Sequence, residues 1–112
     1  MAAPKFCMIY TTAPDKKTAE AIAMRIVEKR LAACANLFPI KSVFHWKGKL
    51  ERAAEFAVVL KTRTALAPKC EKEIKKLHPY EVPCIIRILI DGGNREFLKW
   101  IGEETAERKR KQ

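Results

Sequence analysis

The chain lacks most of the short motifs that announce a catalyst. Its only serine is Ser42, and no G-x-S-x-G, G-x-x-x-x-G-K-[ST] or G-x-G-x-x-G occurs in its 112 residues. Nucleophile-elbow hydrolases and phosphate-cradling loops therefore have no support, and no enzymatic activity is expected. Cysteines 7, 34, 70 and 84 are spaced 27, 36 and 14 residues apart without a C-x-x-C. That spacing spells neither a zinc ribbon nor a redox pair; four reduced thiols behaving as small apolar residues are expected instead. With only four glycines, collagen-like and low-complexity chains are excluded. No run approaches about 18 consecutive apolar residues, and the segment after Met1-Ala2-Ala3-Pro4-Lys5 is too short for a signal-peptide core. The expectation is a cytoplasmic protein with no membrane partner.

Acidic residues are also scarce, 13 Asp+Glu against 23 Lys+Arg, for a formal charge of +10. Four of those charges belong to the run Arg108-Lys109-Arg110-Lys111, and the other six are spread along the chain. A lysine on a helix face usually meets only water, so the charge does not by itself specify a polyanion. At 48% apolar residues the composition is that of one globular domain, placed at 1–102, with 103–112 a charged, fraying extension of the last helix.

Elements follow from periodicity. Lys5 to Thr12 is rich in Ile, Phe, Tyr and Thr and reads as a strand, closed by Thr12-Ala13-Pro14-Asp15, which has the form of a helix start. From Asp15 to about Ala33, Ala19, Ile22, Ala23, Ile26, Val27 and Leu31 make one apolar stripe. Ala35 to Trp46 is a strand whose Pro39 demands an edge, and Lys47-Gly48-Lys49 a turn. Glu55 to Thr62 is apolar on both faces and reads as a central strand. A second helix near Ala65 to Leu77 carries the stripe Leu66, Cys70, Ile74 and Leu77. Cys84 to Ile90 is the last strand, and Asp91-Gly92-Gly93-Asn94 leads into a final helix with Phe97, Leu98 and Ile101. The order βαββαβ plus a terminal helix predicts an α+β, ferredoxin-like sandwich with strand four beside one, one beside three and three beside two.

Both faces of strands one, three and four are apolar, so the face away from the helices is left without cover, and an oligomer of identical chains is expected to bury it. The same fold class includes RNA-binding modules that stack bases on aromatics. Strand three here, Glu55 to Thr62, holds a single aromatic, so nucleic acid is disfavoured as a partner.

Chemistry concentrates in Leu77-His78-Pro79-Tyr80-Glu81-Val82-Pro83-Cys84, where two prolines stiffen the connection from helix two to strand four. One reading has His78 capping the helix end and Tyr80 packing. The other makes His78, with Glu81 and Cys84, a site for copper or another divalent cation, since imidazole and carboxylate suit Cu(II) or Zn(II) and thiolate suits Cu(I). One chain offers too few ligands to close such a site, and an oligomer interface would have to supply the rest.

Four ordered segments, Ala32-Ala33-Cys34-Ala35-Asn36, Trp46-Lys47-Gly48-Lys49-Leu50-Glu51, Leu60-Lys61-Thr62-Arg63 and His78-Pro79-Tyr80-Glu81-Val82-Pro83, together resemble the CutA family of divalent-cation tolerance proteins over about residues 6–101. The resemblance implies a ferredoxin-like subunit in a tight homotrimer with sheets facing inward, similar to signalling trimers of the PII type, and a role in tolerance to copper and other divalent cations. It also implies an intersubunit cleft around Trp46, Glu51, Lys61, Tyr80 and Glu81, in which an aromatic floor, one ammonium and two carboxylates hold a small anion or a metal complex, or in which Lys61 pairs with a glutamate to fix the trimer. Metal-binding bacterial members carry a cysteine at the end of strand one and paired histidines before Pro-Tyr. Here those places hold Thr11 and Leu77-His78, and Cys84 stands where glutamate is common. A trimer acting through protein partners is the alternative to a ligand-binding one.

Overall fold

The computed structural model describes residues 4–106. Strand β1 (Phe6–Ala13) runs into helix α1 (Lys16–Glu28). The cap is Asp15, whose carboxylate accepts the Thr18 N–H at 2.8 Å. Thr12, which the sequence pattern offered as the cap, stays in the strand opposite Ala57. Helix α1 stops short of Ala33 because Arg30 turns left-handed at φ 58°. The Leu31 N–H then reaches back to the Ile26 carbonyl at 3.1 Å, which closes the helix end.

Strands β2 (Cys34–Trp46) and β3 (Lys49–Arg63) form a long hairpin. Its two-residue turn places Lys47 at φ 51° and Gly48 at φ 81°, the twist that suits a tight hairpin. Strand β3 therefore starts at Lys49, well before the expected Glu55. Its first seven residues, 49–55, pair only with β2, since β1 joins β3 from Phe56 onward. This two-stranded ribbon projects past the rest of the sheet. A 3-10 turn (Thr64–Leu66), helix α2 (Ala67–Leu77), strand β4 (Ile85–Ile90) and helix α3 (Arg95–Thr105) complete the chain. The terminal run Arg108–Lys111 lies outside the described residues, and no described helix is long and apolar enough to cross a membrane.

The sheet order is β2-β3-β1-β4, antiparallel throughout, as the element order predicts, and Pro39 sits on edge strand β2 where its missing N–H breaks no ladder. Helices α1 and α2 cover one face over a core that includes Cys7, Ile9, Ile22, Ile26, Leu60 and Ile74. In α2 the buried stripe is Ala67, Cys70 and Ile74. Leu77, at the last position of the helix, is exposed instead. Helix α3 lies on the opposite face of the sheet. Gly102 faces the Phe6 ring, the Lys61 ammonium stands 5.5 Å over the Phe97 ring, and Arg63 bonds the Thr105 hydroxyl and carbonyl. Beyond α3 that face remains apolar and open, with Phe38, Ile86 and Ile88 each more than 40% exposed.

Candidate functional site

The loop between α2 and β4 is pinned by His78. The imidazole is 9% exposed. Its Nε2 lies 2.6 Å from the Thr12 carbonyl, and its Nδ1 accepts the Tyr80 N–H at 3.1 Å. Because Nδ1 accepts, Nε2 carries the proton and donates to Thr12. Both ring nitrogens are thus engaged, one to the end of β1 and one to the loop, and the Tyr80 ring packs at 4.9 Å between centroids.

Tyr80 passes this order on to β3. Its hydroxyl donates to Glu55 Oε2 at 2.7 Å. Burial, the bond to Glu55 and the negative charge of that carboxylate together push the phenol up to about 12. Glu55 is 7% exposed, and among the described residues it belongs to no ion pair.

These groups edge a cavity of about 750 Å³ between the projecting ribbon, β1 and the loop. Tyr10, Phe44, Trp46 and Tyr80 supply its aromatic walls; Thr12, Lys41, Glu55, Glu81 and Cys84 its polar and sulfur groups. Burial and the nearby Glu55 charge raise the Cys84 thiol, so it holds its proton more firmly than a free cysteine.

Of the residues singled out from sequence, Trp46, Tyr80, Glu81 and Cys84 meet in this cavity. Lys61 does not, because its ammonium is taken by the Phe97 ring under α3. Glu51 pairs across the ribbon with Phe44 but does not line the cavity. His78 stands behind Tyr80 as the clip just described. No group of three or more His, Cys, Asp or Glu among the described residues comes together to hold a metal ion. With both imidazole nitrogens in use, His78, Glu81 and Cys84 do not fit a metal within one chain. Thr11, at the place of the metal-binding members' cysteine, shares the helix-covered face with Ile9 and is fully buried. Sequence reasoning missed Glu55, Tyr10 and Phe44. The available signal was a carboxylate, Glu55, set among the small and apolar residues Ala53-Ala54 and Phe56-Ala57.

Comparison with known proteins gives the same answer as the motifs. The family model described as CutA1 divalent ion tolerance protein matches residues 7–104. The divalent-cation tolerance protein CutA of Archaeoglobus fulgidus is 52% identical over 99 residues, covering 88% of this chain and 96% of that protein, and the one from Pyrococcus horikoshii is 45% identical over 98 residues, covering 88% and 96%. Among solved structures, the Archaeoglobus fulgidus protein, named there a periplasmic divalent cation tolerance protein, superposes with a TM-score of 0.88 at 50% identity over 90% of this chain and 99% of that one. CutA1 from Oryza sativa gives 0.89 at 36% identity over 95% and 98%. A match that spans both the sheet and the loop carrying His78-Pro79-Tyr80-Glu81 leaves one assignment: the chain belongs to the CutA family of divalent-cation tolerance proteins.

Proposed function

We propose that this protein works in divalent-cation tolerance as a homotrimer, its open sheet faces turned inward, and that the cavity edged by Trp46, Glu55, Tyr80 and Glu81 is its ligand cleft at the subunit boundary. It acts by binding, not by catalysis. The observation that carries the assembly is the uncovered apolar face: Ile86, 51% exposed, and Ile88, 43% exposed, on edge strand β4 share the face away from α1 and α2 with Phe38 on the opposite edge strand β2. Such a surface is costly to leave in water and is of the kind identical subunits bury. All four thiols are free, which suits a reducing compartment and favours the cytoplasm.

Copper or another divalent cation is the first ligand to test. Glu81 and Cys84 supply a carboxylate and a thiol from one chain, fewer donors than a closed site needs, so a metal would take its remaining ligands from a neighbouring subunit. The test is native mass spectrometry of the reduced protein with and without a modest excess of Cu(II). A trimer carrying about one copper per chain, with uptake lost in Cys84→Ser, supports the whole reading. A trimer without specific adducts keeps the assembly and removes the metal, and a monomer removes the assembly.

A further inference from the structure

We propose that the cleft takes a small organic cation, an ammonium carried on an apolar body, with Glu55 as its counter-ion. This deepens the ligand-cleft reading above and rests on it.

The first observation is a charge without a partner. Glu55 is 7% exposed, yet it makes no ion pair among the described residues. A carboxylate so far removed from water is normally matched by a cation. The Tyr80 hydroxyl satisfies only Oε2; it brings a hydrogen bond and no charge. The unmatched carboxylate lines the cavity, so the missing positive group belongs there.

The second observation is what surrounds it. Tyr10, Phe44, Trp46 and Tyr80 line the same space, and aromatic faces attract a cation through the ring quadrupole, most strongly where water is excluded. A volume of about 750 Å³ is that of a small-molecule pocket and far more than a bare metal ion needs. The third is the charge balance. Lys61, which would have made the cleft attractive to anions, is held over Phe97. That leaves buried Glu55 together with Glu81 against Lys41, the last two both exposed. In a chain of charge +10, this hollow is acidic.

The experiment is a calorimetric titration of the intact protein with three probes that share one ring and differ in charge: benzyltrimethylammonium, benzyl alcohol and benzoate. A separate titration uses Cu(II) alone. The cation should bind saturably and at least about tenfold more tightly than the alcohol, with benzoate weakest. Glu55→Gln should lower the affinity for the cation about tenfold or more and leave that for the alcohol unchanged. Its amide oxygen can still accept the Tyr80 hydroxyl, so the cleft keeps its shape. If that variant changes assembly, Glu81→Gln gives the same comparison from the other carboxylate. Benzoate binding as well as the cation, or both variants retaining wild-type affinity for it, overturns the inference. Copper uptake that depends on Cys84, with no cation binding, refutes the organic cation and leaves the cleft reading standing. A trimer that binds neither refutes both, and means that a neighbouring subunit fills the hollow.

Discussion

Replacing His78 by alanine distinguishes a clip from a ligand. The substitution deletes the bond from Nε2–H to the Thr12 carbonyl at 2.6 Å and the one from the Tyr80 N–H to Nδ1 at 3.1 Å. It also removes a ring that packs on Tyr80. The Tyr80 amide sits in an exposed loop where water can replace the lost acceptor. Thr12 is 9% exposed, so its carbonyl stays buried and unsatisfied, at about 1–3 kcal/mol. With the second bond worth about 1 kcal/mol, the expected cost is roughly 2–4 kcal/mol per chain. Urea unfolding followed by circular dichroism measures it, with variant and parent at one protein concentration because the stability of an assembly depends on concentration. Faster hydrogen exchange at the Tyr80 amide should accompany the loss. Weaker ligand binding does not discriminate, because freeing Tyr80 also loosens its bond to Glu55. Stability does. A His78→Ala protein that unfolds at the parent midpoint and has lost only copper uptake would show that the imidazole serves a metal and that the clip argument is wrong.

Three further outcomes follow from the same geometry. The Tyr80 phenol should ionise near 12, and Glu55→Gln should bring it down toward the ordinary tyrosine range near 10; the ultraviolet absorbance of the phenolate reads both. Since the folded value is the higher one, the stability gained from the neutral phenol is complete below about 10 and is lost as pH rises through 12, so Tyr80→Phe should lower stability at neutral pH and flatten its fall between about 10 and 12. Gly48→Ala places a side chain at φ 81° with open space around it, so the cost is purely conformational, about 1 kcal/mol, and an unchanged unfolding midpoint would contradict the turn geometry. Ile88→Lys puts a charge on the open sheet face where the side chain is 43% exposed; sedimentation should show smaller species that keep their circular dichroism, and an intact trimer would place the subunit contact elsewhere.

The fold was legible because its signals are local and redundant. The stripe Ala19, Ile22, Ala23 and Ile26 announces α1 without reference to anything else, and Pro39 names its own strand as an edge. Where expectation and structure part, a non-local term decides. Leu77 continues the α2 spacing, but the helix ends there and leaves it exposed, while Ala67 takes the buried place. Lys49 to Ala54 look too polar and too small for a strand; they become one because the turn at Lys47-Gly48 sets a register that β2 can follow to its end. In the site, the loop carrying Tyr80, Glu81 and Cys84 stood out by composition. Glu55 and Lys61 did not separate by type, since both are charged residues in one strand. Their roles are fixed by which neighbour each meets, Tyr80 for one and Phe97 for the other.

The position of the cleft ties ligand binding to assembly. Two of its aromatic walls, Phe44 and Trp46, stand on the part of the hairpin that only β2 and β3 share. A two-stranded ribbon is marginal by itself in water, and this one carries Val43 and Leu50 at 65% and 61% exposure. Nothing within the described chain covers those side chains, so the proposed trimer is what holds the ribbon in place and with it the two walls. The opposite wall, Tyr80 and Glu55, is held in the single chain through the His78 clip and the Tyr80–Glu55 bond, with Glu55 next to Phe56, where β3 joins β1. A ligand that bridges the two walls therefore binds the assembled form better than the separate chain, and by linkage it must stabilise the trimer by the same free energy that assembly adds to its affinity. A compound that occupies the cleft without raising the midpoint of trimer dissociation is touching only the rigid wall.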